Sequence, residues 1–230
     1  MSAEIIKGLI LQVYEFQEKD LIVKTITNKR IFSFVALGTR KPESKNKFAL
    51  LESSISELEI FLSRLNNKLS KLKKATTEIC LDLNNSKILE FWRFISFFLN
   101  KLEKTSNYFF ENLKLAWEII NEQNYLHIVV FLLANHLVLQ GHFISFNKCV
   151  KCMKNKNLIY FNFSLGGMFC KIHYKNKDLQ NISLLKSYYF LSLNLDQYLK
   201  FVNTIDNFLI YEQLKLFIEA NLYSFPKNLL

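Results

Sequence analysis

The 25 residues "CVKCMKNKNLIYFNFSLGGMFCKIH", Cys149 to His173, hold three of the chain's four cysteines and one of its four histidines. Cys149 and Cys152 are separated by two residues, and Cys170 and His173 repeat that spacing after an interval of seventeen. Two donors so spaced flank one tight turn and face one ion, and two such pairs supply the four tetrahedral thiolate or imidazole ligands that Zn²⁺ takes. Gly166 and Gly167 stand just before the second pair, where a tight turn needs backbone freedom. Four protein donors leave no coordination position open. The spacing therefore predicts one structural Zn²⁺ and no metal-bound water for catalysis. A thioredoxin-like redox pair would leave Cys170 and His173 without a purpose. Cys80, the remaining cysteine, falls at the end of a predicted strand and reads as a small buried hydrophobe.

The chain has 230 residues, half of them hydrophobic and 15% aromatic, with five Gly and two Pro. That suffices for a sizeable core and excludes collagen-like or low-complexity classes. Lys and Asn are frequent but interleaved with Phe, Leu and Ile, which reads as a folded chain with a polar surface. The formal net charge of +10 favours polyanions: nucleic acid, an anionic membrane surface or an acidic protein tail. The start, "MSAEIIKGLILQVYEF", lacks the basic opening of a secretory signal. The longest apolar stretch, "YLHIVVFLLANHLVLQ", carries His127, Asn135 and His136 and reads as a buried helix, not a membrane span. These features predict a cytoplasmic protein without membrane contact, the compartment in which a CxxC holds metal or redox chemistry in preference to a structural disulfide.

Two textures divide the chain. Up to about residue 82, "IIKGLILQVYEF", "DLIVKTIT" and "RIFSFVAL" read as strands, the last two joined by a tight turn at Asn28-Lys29. "ISELEIFLSRL" and "LSKLKKATTEICLDL" read as two more strands, although their Leu spacing also fits helix. Five short strands in under ninety residues suggest a closed barrel of the oligonucleotide-binding (OB) type. From residue 83 onward helical periodicity takes over. Ser86 stands where it can cap "KILEFWRFISFFLNKLEK", Ser106 where it can cap "SNYFFENLKLAWEIINEQ", and Gly141 where it can end the third, apolar helix. After the Cys/His segment, at about 146–175, come "SLLKSYYFLSL", "LDQYLKFVNTI" and "NFLIYEQLKLFIEANLYSF" as further helices. The predicted class is α+β: an OB barrel over 1–82, then an all-helical domain over 83–230 with an inserted zinc module.

Positive charge is concentrated in the barrel region. Lys24, Lys29, Arg30, Arg40, Lys41, Lys45 and Lys47 are accompanied only by Glu43 among acids, and Arg64, Lys68, Lys71, Lys73 and Lys74 by none. On strand edges and loops these can lie along one groove, and phosphate backbones are held by such a spread of cations. Phe32, Phe34 and Phe48 are candidates for stacking single-stranded bases. There is no P-loop, GxGxxG or HExxH motif and no defensible carboxylate pair. His127, His136 and His142 read as core histidines. No substrate-consuming mechanism follows, so a non-enzyme is expected. The rival classes are a zinc-stapled adaptor whose basic face binds acidic protein tails without DNA, and a nuclease with an open metal site.

Taken together, the N-terminal words "GLILQVYEFQEKDLIVKTITNKRIFSFVALGTRKPESK", with Glu18, Asp20, Gly38, Arg40, Lys41 and Ser44, and the segment "CVKC…FNFSLGGMFCKIH" resemble the bacterial DNA repair and recombination mediator family RecO. The resemblance covers nearly the whole chain. Two departures stand out: the family usually follows the first CxxC with Gly, here Met153, and closes the site with Cys, here His173. The resemblance implies an OB barrel followed by a helical domain bearing the zinc element. It implies binding of single- and double-stranded DNA, annealing of complementary strands, and help in loading RecA onto DNA coated by single-strand binding protein (SSB). The implied partners are RecR and the acidic C-terminal tail of SSB, and the implied place is the cytoplasm, at the nucleoid during repair.

Overall fold

The computed structural model describes residues 3–63, 65, 68–176 and 179–226. By packing, the chain forms two compact units, Met1–Ile119 and Ile120–Leu230.

The first unit is built on a five-stranded closed barrel of strand order β1-β2-β3-β5-β4. Its strands are β1 (Glu4–Phe16), β2 (Asp20–Thr27), β3 (Ile31–Ala36), β4 (Ser54–Phe61) and β5 (Ser70–Cys80). The two segments with ambiguous Leu spacing are thus both strands, and the barrel is OB-like. A two-residue turn at Asn28-Lys29 joins β2 to β3, closed by Thr27 N–H donating to the Arg30 carbonyl at 3.0 Å. Alternation places Ile10, Val23, Phe34, Leu58, Ile60 and Ala75 in the interior. All ladders are antiparallel except β3 with β5, which is parallel and spans only Phe34↔Ser70 and Val35↔Lys71. Beyond that point β3 ends and β5 runs on. A short 3₁₀ turn, Phe48–Leu50, fills the gap it leaves: Ala49 and Leu50 point into the barrel core.

Two helices complete this unit, α1 (Ser86–Asn100) and α2 (Asn107–Ile119). The cap of α1 is Asn85, whose side chain accepts from Lys87 N–H and Ile88 N–H; Ser86 is the first helical residue instead. Ser106 does cap α2, accepting from Phe109 N–H at 3.1 Å. Trp117 of α2 meets Phe91 and Trp92 of α1 edge-on, and its indole N–H donates to the Ser53 carbonyl at 2.6 Å. Asn28 reaches Asn107 at 3.2 Å. α1 and α2 are thereby fastened to the barrel.

The second unit is organised around α3 (Tyr125–Leu139), which is apolar on all sides and fully buried from Ile128 to Ala134. Gly141 ends it in a left-handed conformation at φ +92°, with His142 N–H bonded back to the Leu137 carbonyl. α5 (Leu195–Phe201) and α6 (Thr204–Asn221) pack on it, and α4 (Ile182–Phe190) packs on those two. Asn181, Asn194 and Asn203 cap these three helices with their side-chain oxygens. Asparagine, frequent in this sequence, thus caps α1, α4, α5 and α6, because its short side chain satisfies the orphan N–H groups of a first turn. Between α3 and α4 lies a three-stranded sheet of order β6-β8-β7: β6 (Ser145–Cys149), β7 (Leu158–Asn162) and β8 (Gly167–Cys170). Phe161 of β7 stacks on Tyr188 of α4 at 3.8 Å, which joins the sheet to the helices. Among the described residues no helix is long and apolar enough to cross a membrane.

Candidate metal centre and nucleic-acid interface

The small sheet exists to bring two knuckles together. In the first, the backbone folds back after Cys149: Met153 N–H donates to the Cys149 carbonyl and Cys149 N–H to the Lys154 carbonyl, both at 2.8 Å. In the second, His173 and Tyr174 N–H groups both donate to the Cys170 carbonyl. The ligand atoms of Cys149, Cys152, Cys170 and His173 lie within 4.8 Å of one another. Cys152 Sγ is 3.9 Å from Cys170 Sγ, and His173 Nδ1 is 3.3 Å from Cys170 Sγ and 3.6 Å from Cys149 Sγ. A tetrahedral ion with Zn–S near 2.3 Å and Zn–N near 2.0 Å has ligand–ligand edges of about 3.5–3.8 Å. These side chains therefore stand within about 1 Å of the edges that one tetrahedral ion requires, and His173 turns Nδ1 toward the sulfurs as a fourth donor.

The electrostatics favour thiolate at two of the three cysteines; at Cys152 the Lys154 N–H lowers the thiol, but burial and the sulfurs of Cys149 and Cys170 outweigh it and leave it raised. Burial works against ionisation of Cys149, yet the N–H groups of Cys170, Lys151 and Cys152 overcome it and hold that thiol below its ordinary range. Burial opposes ionisation of Cys170 too, and the His173 backbone and ring outweigh it, so that thiol is also lowered. The two sulfurs raise the His173 imidazole in turn. Thiolate is the form that binds metal.

Two backbone positions in this module are special. Gly167 has φ +126°, and a Cβ there would sit 2.2 Å from the Ser145 carbonyl oxygen. The second glycine of Gly166-Gly167 is thus required by the close approach of β6 to β8. Met153 takes the left-handed conformation at φ +59°, a backbone that favours Gly. A side chain there costs about 1–2 kcal/mol. Met153→Gly is expected to raise stability by about 0.5–1 kcal/mol after the entropy of glycine in the unfolded chain is deducted, read as an upward shift in thermal unfolding.

The basic residues of the barrel separate into distinct places. Lys24 is engaged at the end of α1: its ammonium donates to the Asn100 carbonyl at 3.1 Å and lies 3.4 Å from Asn100 Oδ1, and burial lowers its pKa. Arg40 pairs with Glu15 at 3.0 Å, and its N–H donates to the Lys19 carbonyl. Asp20 accepts from Gly38 N–H at 2.7 Å. The family words around Asp20, Gly38 and Arg40 thus tie the β1–β2 hairpin to the start of the β3–β4 connection, with Gly38 at φ +65°. Lys29 and Arg30 line a groove of about 570 Å³ with Glu4, Lys7, Glu111 and Lys114. Arg30 sits over the Phe32 ring and 3.7 Å from Glu4. Lys41, Lys45 and Lys47 are exposed on the β3–β4 connection. Lys45 shares a second groove, about 700 Å³, with Lys73 and Lys74 of β5, Phe48, Glu59 and Thr76. Lys68 and Lys71 are exposed. Arg64 lies outside the described residues.

Of the aromatic candidates, Phe34 is completely buried in the barrel core and Phe32 half-buried beside it. Phe48 is 72% exposed. Cys80, expected to be buried, is exposed, because the outer end of β5 has no second neighbouring strand. His136 is buried with Nε2 2.5 Å from the Tyr223 hydroxyl, as a core histidine is, whereas His142 is half-buried and packs edge-on against Phe217. Burial lowers the pKa of His127. The sequence gives no signal for the role of Lys24, which depends on a partner 76 residues away.

The family model described as "Recombination protein O N terminal" matches residues 1–79. The chain is 32% identical over 180 residues to "DNA repair protein RecO" of Mycoplasma mycoides subsp. mycoides SC, covering 74% of this chain and 71% of that one. It is 31% identical over 183 residues to "DNA repair protein RecO" of Mesoplasma florum, covering 74% and 67%. A solved structure of Entamoeba histolytica asparaginyl-tRNA synthetase aligns over 73% of this chain and 40% of that one with a TM-score of 0.29 at 10% identity, a likeness too weak to bear on fold or function. The OB-like barrel, the Cys₃His cluster and the identity spread over three quarters of the sequence agree: this chain belongs to the RecO family of DNA repair proteins.

Proposed function

We propose that this chain is a non-enzymatic, DNA-binding mediator of recombinational repair that works in the cytoplasm. It binds single- and double-stranded DNA, brings complementary strands together, and with RecR assists RecA loading on SSB-coated DNA, recognising the acidic SSB tail. The supporting observation is the groove in which Lys45, from one basic stretch of the sequence, meets Lys73 and Lys74, from another, beside an exposed aromatic ring. Two charged backbones repel each other; a surface that neutralises phosphates on both lowers that repulsion and raises their local concentration. Lys41, Lys45, Lys47, Lys73 and Lys74 carry the phosphate contacts in this reading, with Lys29 and Arg30 in the neighbouring groove and Arg40 at the hairpin. The Cys149/Cys152/Cys170/His173 site holds one structural Zn²⁺ that braces the second unit. Its three thiolates and single imidazole, all four close enough to share one ion, support that assignment.

The test is strand annealing with labelled complementary oligonucleotides, with and without SSB. Acceleration over the spontaneous rate that disappears at high salt is the expected result. A folded protein that leaves annealing unchanged, yet binds acidic peptides, would replace this reading with that of a protein adaptor.

A further inference from the structure

We infer that the groove between the 3₁₀ turn and β5 is selective for single strands, because Phe48 forms a fixed platform for one unpaired base. The inference rests on the DNA-binding reading above and adds the state of the nucleic acid that this site takes. Phe48 is a large apolar side chain 72% exposed to water, although its neighbours Ala49 and Leu50 are buried. It is not on a loose loop. Ser56 Oγ donates to the Ala49 carbonyl at 2.7 Å, Ala75 N–H donates to Asn46 Oδ1 at 2.9 Å, and Thr77 Oγ1 lies 3.5 Å from the Phe48 carbonyl. The turn is thus stitched to both β4 and β5, with two residues anchored in the core and the ring held outward.

The surroundings match an unpaired nucleotide. Lys45, Lys73 and Lys74 line the groove against a single acid, Glu59, which pairs with Lys73 at 2.5 Å. A cationic track beside an aromatic face is the arrangement that holds single strands, since phosphates meet the lysines while a base covers the ring. A duplex offers phosphates to the same lysines, but its base faces are already covered by neighbouring pairs. Phe48 therefore adds affinity for single strands only. A base on Phe48 must leave it as that base enters a helix, so annealing itself weakens the grip on the product.

Fluorescence anisotropy with a labelled oligothymidylate and a labelled hairpin duplex tests this, using the full chain. Phe48→Ala is expected to weaken single-strand binding about 5- to 100-fold and to change duplex binding less than about twofold. Phe48→Trp is expected to retain single-strand affinity, with emission quenched by single strands and not by duplex; the native Trp92 and Trp117 are buried and contribute little to that change. Equal effects of Phe48→Ala on both nucleic acids, or none on either, would overturn the inference while Lys73→Ala with Lys74→Ala still weakened both. Absence of binding by the unsubstituted protein would overturn the DNA-binding reading and this inference with it.

Discussion

Cys170→Ser is expected to abolish stoichiometric zinc and to lower the thermal midpoint of the second unit by about 10 °C or more. The size of the effect follows from how little else holds the module. Its strands are five, five and four residues long, and a sheet of that size is not stable in water without a larger packed face. In the proposed reading an ion shared by the four donors joins them, and the binding energy of such an ion is folding energy, about 10–16 kcal/mol in isolated zinc peptides at neutral pH. Here part of the sheet is also supported by Phe161 and Phe163 against Tyr188, with Phe146 stacked on Phe161, so the loss is smaller than in an isolated finger. A chelator should reproduce the substitution. The barrel, in the other compact unit, should keep its own transition in calorimetry. Retention of one zinc per chain by the variant, or an unchanged midpoint after metal removal, would contradict the structural role.

Lys45→Ala, Lys73→Ala and Lys74→Ala combined should reduce single-strand affinity about 30- to 100-fold near 0.1 M salt and make the log–log salt slope shallower by about two. Each phosphate contact to a single strand contributes about 0.7 to that slope. Three contacts give close to two logarithmic units at that ionic strength, and the ion pair of Lys73 with Glu59 brings the estimate to the lower end. The lysines are exposed, so unfolding should not change by more than about 0.5 kcal/mol. Lys24→Ala makes the contrasting control: it removes the partner of the α1 terminus, so its effect belongs to stability.

Periodicity carried most of the fold. Alternation in β1 to β3 was legible, and the parity that sets Phe34 and Ala36 inward puts Phe32 on the same side; two of three aromatic candidates belong to the core for that reason. β4 and β5 were ambiguous because Leu58, Phe61 and Leu72 suit either period, and barrel closure decided between them. The sheet under the Cys₃His cluster was invisible, since strands of four or five residues with irregular register leave too few alternations to read. That Cys149, Cys152, Cys170 and His173 cluster was legible because their paired spacing is local in the sequence. The commitments of the individual cations were not, because charge alone does not reveal that Lys24 is engaged by a carbonyl or that Arg40 and Lys73 sit beside carboxylates.

The most direct measurement is anisotropy of a mixed-sequence single strand titrated with the zinc-loaded chain at several salt concentrations. Dissociation constants at or below about 10 µM near 0.1 M salt, rising steeply as salt is added, are the predicted outcome. Protein that is folded and metal-loaded, yet leaves the oligonucleotide free even at about 0.05 M salt, would contradict it.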